Sequence, residues 1–507
     1  MNSSPVSLSL LSLWWLASTF FLLAGNPTSV ESHHILGLFV NVHRSQLMVH
    51  LAVCRALLQK GHHVTLVTTL PLKEQEIRGN VSHILIPWKQ TEEENHNGSS
   101  FDIVLHLQRM FRRLEHSGDL LNLPEWKGFL KEPPTTPYDL LLLGYHFNDH
   151  LLGVAAHFNC PVAIISTQQP TGFVNSIMGN PEERWYVPQP YDSRQRTGVS
   201  AWIFGVWEKL MEAMARRVLA RIYSLHFPEP RYPSFETMRR SVVLALSNHH
   251  MISEGPIAPL LPNMVDIGGI VLEQKLNDSS HERTASNRSL IIFSLGTRFT
   301  WRKSSPKLLQ TFTNAFDQFP DYDIYWTYDG PNRSAISLDY PHIKVGKWWP
   351  QRQLLESGKV RLFITHGGKG SLSEALYYGV PLLGLPLIGD QRANLQKMQS
   401  KNWGLTLSTH NLTHLELSKT MDRIIRYPIY AKSISEASKI YRDRPMKSSD
   451  LATYWIEYII RHKGAKNLYN PARHLNFIEY YSIDVYVTIY GALILTITVL
   501  RKIDRLL

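Results

Sequence analysis

A strand that stops at a glycine-rich turn and restarts as a helix constrains this chain more than any other stretch. Phe363-Ile364-Thr365 is a β-forming run, His366-Gly367-Gly368 punctuates it, and Lys369-Gly370-Ser371-Leu372-Ser373-Glu374-Ala375 reads as a helix opening. A strand that feeds a helix in this way is half of a parallel crossover unit, and parallel sheets are covered by helices on both faces. The same alternation recurs along the chain. Residues 34–40 read as a buried strand, 46–60 as a helix with Leu47, Leu51, Cys54, Leu57 and Leu58 on one face, and 63–69 as a second strand after Gly61. Strands are also expected at 139–143 and 161–166, with a helix at 149–158. A second series gives a strand at 291–295, a helix at 306–316, strands at 322–327 and 362–365, a helix at 370–379 and a strand at 381–385. The polar stretch 273–289 reads as a linker. The pattern predicts two doubly wound α/β halves whose ligands sit at the carboxyl ends of the strands, in the cleft between them.

The 507 residues suit two domains of roughly 200 residues each. At 44% hydrophobic the chain can bury a sizeable core, which excludes a disordered chain. The net charge of +11 is scattered, and no Lys/Arg block or zinc-finger spacing points to nucleic acid. The two cysteines, Cys54 and Cys160, lie in apolar stretches and are expected as buried free thiols, which excludes a disulfide framework and a cysteine metal site.

Two apolar segments carry targeting information. Residues 1–31 read as a signal peptide, cleaved within 24–32. Residues 484–500 read as a transmembrane helix, flanked by Tyr480 and Tyr481 and followed at once by Arg501, Lys502 and Arg505. Its sixteen-residue apolar run, Val485 to Leu500, spans about 24 Å as a helix, which is short for a bilayer core. Together these predict a lumenal body, one crossing and a short cytosolic tail at 501–507. Glycosylation sequons at Asn80, Asn97, Asn277, Asn287, Asn332 and Asn411 are compatible with that placement.

The candidate site lies in 348–394. N–H groups and the positive dipole end of the helix that opens after Gly368 suit a phosphate, with His366 and Ser371 as added donors. Glu374 sits one turn into that helix, where it can accept from a ribose diol. Trp348 or Trp349 offers a flat face to a base, and Asp390 and Gln391 can bond sugar hydroxyls. Order and spacing are the informative part. Trp348-Trp349-Pro350-Gln351, then Phe363 to Gly368, then Glu374-Ala375, Gly379-Val380-Pro381, and Pro386 to Asp390-Gln391 with Asn394 resemble the signature of the UDP-glycosyltransferase family, most closely its insect members.

The resemblance extends over nearly the whole body, including Phe293 to Thr297 and Ile267-Gly268-Gly269. It implies a GT-B fold of two Rossmann-like domains with a C-terminal transmembrane helix. Residues 32–272 would form the acceptor-binding domain, 290–440 the UDP-sugar-binding domain, and 441–483 helices returning to the first. It further implies that Trp348 stacks on uracil and that Gln351 holds the nucleoside. His366 and Ser371 would contact the diphosphate with Gly296, Thr297, Gly368 and Gly370 beside it, Glu374 the ribose, and Asp390 with Gln391 the sugar. Gly370 stands where many members have Asn. No cofactor or metal is implied, because the UDP-sugar is a co-substrate.

The catalytic pattern departs from the family. Its mechanism is an inverting single displacement in which a histidine takes the acceptor proton and an aspartate orients it. Those positions fall here on Gln46 and Gly144, and Gln cannot act as a base. His43, three residues earlier, is the candidate replacement, with Asp149 or Asp139 behind it; His50 and His62 read as helix-face and turn residues. Transfer without a strong base, and donor binding without efficient transfer, are the other readings. The donor is expected to be UDP-glucose rather than UDP-glucuronic acid. The acceptor is expected to be small and lipophilic, as in detoxification, on a surface from residues 70–130 and 170–235 that includes Phe101, Trp126, Trp185, Trp202, Phe204 and Trp207. Expected partners are the donor, the acceptor, the endoplasmic reticulum membrane and a homo- or hetero-oligomer with related transferases, with no nucleic acid.

Overall fold

The computed structural model describes residues 31–40, 43–73, 76–88, 103–182, 187, 198–273, 288–296, 299–331 and 333–505. The signal-peptide segment, Phe101, Trp185 and Thr297 lie outside them, as do the sequons at Asn97, Asn277, Asn287 and Asn332; Asn80 and Asn411 are exposed.

The first half runs β1 (His34–Phe39), α1 (Arg44–Gln59), β2 (His63–Thr68), β3 (Val81–Leu85), α2 (Ile103–Ser117), β4 (Leu140–Tyr145), β5 (Val162–Ser166), α3 (Gly172–Met178), α4 (Gly198–His226), α5 (Phe235–Arg240), β6 (Val242–Ser247), α6 (Met251–Glu254) and β7 (Met264–Asp266). The second runs β8 (Ser289–Ser294), α7 (Pro306–Phe316), β9 (Tyr322–Thr327), β10 (Ile343–Gly346), α8 (Gln351–Glu356), β11 (Val360–Thr365), α9 (Lys369–Tyr378), β12 (Leu382–Gly384), α10 (Gln391–Ser400) and β13 (Gly404–Thr406). Then follow α11 (Pro428–Arg442), α12 (Ser448–Arg461) and α13 (Ile483–Asp504). The sheets are parallel, in the orders β3-β2-β1-β4-β5-β6-β7 and β10-β9-β8-β11-β12-β13.

Strands covered on both faces explain the unbroken apolar runs. In β4, Leu141 and Leu143 pack in one core with Trp126 and Tyr223, while Leu140 and Leu142 pack in the other with α1. That second core also receives Ala452, Ile456 and Ile459 of α12, which crosses back from the end of the chain. His62 Nε2 lies 3.1 Å from Glu457 Oε1 on the same helix. The start of α12 is held by Glu273, whose carboxylate accepts from the N–H groups of Ser448 at 2.7 Å and Ser449 at 3.0 Å. An acidic group at a helix N-terminus satisfies donors that the helix leaves open.

Four expectations need correction. The helix read at 149–158 is a 3-10 turn (Asp149–Leu152) followed by a short helix (Gly153–His157). Asp149 is pulled inward to Arg239, and the ring of Phe227 lies where a Cβ on Gly153 would stand, 2.3 Å away. Trp126, expected on the acceptor surface, is 1% exposed and belongs to the core. Cys54 is buried, but Cys160 is only half-buried; both are free. Finally, α13 has 22 residues, about 33 Å, because the helix extends past the apolar run into Arg501 and Lys502. It is long and apolar enough to cross a membrane, and none of it is buried.

Candidate active site

Each sheet reverses its strand order once, between β1 and β4 and between β8 and β11. Such reversals open a crevice at the carboxyl ends of the strands. In the second half, that crevice is where the loops after β8 and β11 meet. His366 stands there with its ring between two glycines. A Cβ on Gly296 would come within 2.5 Å of its Cε1, and one on Gly368 within 2.5 Å of its Nε2. Gly296 and Gly367 also hold φ of +77° and +83°, a region that side chains disfavour.

Helix α9 begins at once, with Gly368 as a cap that offers no side-chain acceptor. The N–H of Leu372 bonds back to Gly368 O at 3.1 Å, so the N–H groups of Lys369, Gly370 and Ser371 lie ahead of the first intrahelical bond. They face outward with the positive end of the dipole, an arrangement that binds anions. A Cβ on Gly370 would meet nothing within 4 Å, so the space beside the helix start is open there.

One turn further, Glu374 accepts from Gln351 Nε2. Burial raises its carboxyl pKa, against the pull of Gln351 and Arg352. The tryptophan pair divides its labour. Trp349 donates from Nε1 to Trp326 O at 3.1 Å and stands edge-on to Tyr325, whereas Trp348 is 71% exposed. Asp390 accepts from Asn394 Nδ2 at 2.8 Å, and the same amide reaches Gly367 O at 3.2 Å. That chain ties Asp390 to the glycine turn at Gly367. Gln391 is a partial correction: it is buried, and its Oε1 accepts the N–H groups of Leu387 at 2.8 Å and Ile388 at 2.9 Å. Only its amide N–H group is left for a sugar hydroxyl.

Sequence reasoning missed a cationic cluster. Lys369 Nζ pairs with Glu254, which ends α6 of the first half. Lys397 Nζ donates to Gly255 O at 3.0 Å and Gln169 Oε1 at 3.2 Å, and Lys401 Nζ to Ser253 O at 2.7 Å. His249 Nδ1 lies 3.5 Å from Glu254. Burial, then Lys397, holds the Lys369 ammonium well below its ordinary pKa, and burial with Lys401 pushes Lys397 down to about 8. A cation on the first residue of a helix opposes the dipole, so Lys369 needs an anion nearby. The only sequence signal was a lysine inside the glycine turn; its partner lies 115 residues earlier.

The crevice of the first half is built differently. His43 caps α1 and its carbonyl accepts from Gln46 N at 3.1 Å; both residues are half-buried. A Cβ on Gly144 would stand 2.6 Å from His50 Cε1 and 3.0 Å from Phe39 Cδ1. His50 is buried, stacked on Phe39 at 4.7 Å, and burial pushes its pKa down to about 3. A neutral imidazole thus fills the space beside Gly144. The two carboxylates expected behind His43 are engaged elsewhere. Asp149 is fully buried and bonds Arg239 Nε at 2.7 Å. Asp139 accepts from His34 N at 2.8 Å at the amino end of β4, roughly 16 Å of strand away from Gly144. A cavity lined by Gln169, Asn175, Asn180, Glu182, His249 and Met251 lies beside α3 in the same half.

Comparisons with known proteins bear on the family and the fold. The model of the UDP-glucoronosyl and UDP-glucosyl transferase family matches residues 194–505. The chain belongs to this family. Among curated relatives, UDP-glycosyltransferase UGT5 of Dactylopius coccus is 28% identical over 377 residues, covering 69% of this chain and 68% of that protein. A UDP-glucuronosyltransferase of Pleuronectes platessa is 31% identical over 342 residues, covering 65% and 70%. Human UDP-glucuronosyltransferase 2B15 is 31% identical, but its match spans 46% of its length. The solved calicheamicin glycosyltransferase CalG4 overlays 85% of this chain and 99% of its own with a TM-score of 0.59 at 15% identity. SnogD of Streptomyces nogalater overlays 84% and 100% with a TM-score of 0.55 at 14%. The fold of this UDP-glycosyltransferase family member is GT-B.

Proposed function

We propose that this chain transfers glucose from UDP-glucose to a hydroxyl of a small lipophilic acceptor, in an inverting single displacement. The observation that carries the reading is the His366 ring, slotted between Gly296 and Gly368 beside the open N-terminus of α9. Those groups bind the diphosphate and stabilise the charge that develops on it as the sugar leaves. Trp348 stacks on uracil, Gln351 and Glu374 hold the nucleoside, and Asp390 orients the sugar. The anchor is α13, with the body in the lumen of the endoplasmic reticulum.

Proton removal falls to His43, which caps α1 three residues before the family's base position at Gln46. The test is transfer of labelled glucose from UDP-glucose to a panel of phenols. Product formation that falls at least tenfold in His43→Ala is expected; unchanged activity in that variant removes His43 as the base. A second reading, donor binding with little transfer, is favoured by the closure of the Gly144 position by His50. UDP binding without product across the panel selects that reading. Product formed only with UDP-glucuronic acid replaces glucose as the sugar.

A further inference from the structure

Helix α4 is inverted relative to a helix of a soluble surface. Up to Ala215 its buried face is built from small and polar residues, Ala201, Gly205, Glu212 and Ala215, and only beyond that does it bury Leu219, Ile222 and Tyr223 in the core. Its first four turns turn Val199, Trp202, Ile203, Val206, Trp207 and Leu210 outward, with Val199 73% and Trp202 59% exposed. The spacing is that of one helical stripe. Continued along the same face, the stripe changes chemistry at Arg217 and Arg221, both exposed. A soluble domain rarely shows so continuous an apolar patch without an occupant.

The position of the stripe identifies the occupant. Lys209 on α4 pairs with Glu182 at 3.1 Å. Three residues before Glu182, Gly179 O accepts from Asn470 Nδ2 at 2.5 Å, and Arg473 is sunk against α3, donating to Met178 O at 2.8 Å and Val242 O at 2.7 Å. Arg473 is the last buried point before the exposed Leu475 and Ile478 and the start of α13 at Ile483. The outward stripe and the approach to the membrane-spanning helix therefore lie on one flank of the acceptor half. We propose that the N-terminal half of α4 lies in the membrane interface, its tryptophans among the headgroups and acyl boundary and Arg217 and Arg221 toward the headgroup phosphates. The proposal rests on the reading of α13 as a membrane anchor. The apolar-to-basic order along one face, on the flank from which the chain runs to α13, fits a bilayer surface.

The test uses the full chain reconstituted in vesicles of phosphatidylcholine and phosphatidylserine. An environment-sensitive fluorophore is placed at Ile203→Cys in a Cys160→Ser background, and in a parallel sample at Glu436→Cys on the exposed side of α11. Lipids with a spin label near the headgroup end of the acyl chain are expected to remove more than half the signal at 203 and leave 436 unchanged, while aqueous iodide does the reverse. Carbonate extraction is run alongside. If the chain stays in the membrane but the 203 label is quenched by iodide as strongly as the 436 label, α4 is not in the interface. A 203 label shielded from both quenchers, with a cross-linked dimer through 203, assigns the face to a second copy and also overturns the proposal. Release of the chain by carbonate instead removes the anchor reading on which it rests.

Discussion

The two strand-order reversals of this protein share a topology and differ in chemistry. At β8/β11 a histidine ring is clasped by glycines and aimed, with a helix N-terminus, at the cleft. At β1/β4 a histidine ring is equally close to a glycine, yet it points inward, neutral and stacked on Phe39. In the first case the missing Cβ makes room for a ring at the start of a helix, where the proposed diphosphate would lie. In the second it makes room for a group that fills a core. The lesson is that close glycine–histidine packing has no functional meaning until the direction of the ring is known.

The sharpest way to break this comparison is to add one methyl group at each place. Gly296→Ala drives a Cβ into the His366 ring and strains a positive φ; UDP affinity is expected to fall at least about 100-fold, the scale of two lost charge-assisted hydrogen bonds, as read by titration calorimetry. Gly144→Ala drives a Cβ into His50; about 1–3 kcal/mol of stability is expected to be lost in denaturant melts, the usual cost of overpacking, with UDP affinity unchanged. If both substitutions abolish UDP binding, the two crevices are not distinct in role.

The clasp across the cleft gives the next effect. Glu254→Ala leaves the Lys369 ammonium without its carboxylate, and about 3 kcal/mol of stability is expected to disappear, as for a broken buried pair. Adding Lys369→Met should restore most of it, measured by the same melts. UDP is expected to stabilise the Glu254→Ala variant more than the parent, because the diphosphate then supplies the missing anion.

Acid separates the crevices more gently. The folded pKa of His50 is about 3, below the ordinary value of 6.5. The unfolded chain therefore binds the extra proton between those values, and stability rises with pH across that window and is lost as pH falls through it. His50→Phe, which keeps the ring packed on Phe39, is expected to flatten this part of the stability–pH curve without changing UDP affinity. The smallest effect belongs to the tryptophans. Trp348→Ala should weaken UDP binding about tenfold, within the range of a base–aromatic stack, and leave the melting temperature alone. Trp349→Ala should lower the melting temperature instead.

Much of the fold was legible because parallel strands are buried on both faces and stand out as short apolar runs. Helix α7 and strand β9 begin and end where the pattern places them. The 149–158 segment was not legible, since its apolar spacing said nothing of Asp149 being drawn inward by Arg239, ninety residues away. The donor crevice was readable because its residues are contiguous, and contiguous residues on a strand, a turn and a helix keep their relation. The supports expected behind His43 were misread for the opposite reason: Asp139 and Asp149 are near in sequence to Gly144, but the strand carries one to the far end of the sheet and a buried arginine captures the other. The Lys369–Glu254 pair, made between two domains, has no local trace at all.

The return of α12 to the acceptor half has a mechanical consequence. With α13 held in a bilayer, any pull travels through Arg473 and α12 into the acceptor half, since these are embedded there. The donor half hangs outboard, and among the described residues the polar grips of Arg352, Lys369, Lys397, Lys401 and Arg444 fasten it to its neighbour. Parting of the two halves is then a swing of the outer body on a fixed base, so the rim of the inner half keeps its height above the membrane.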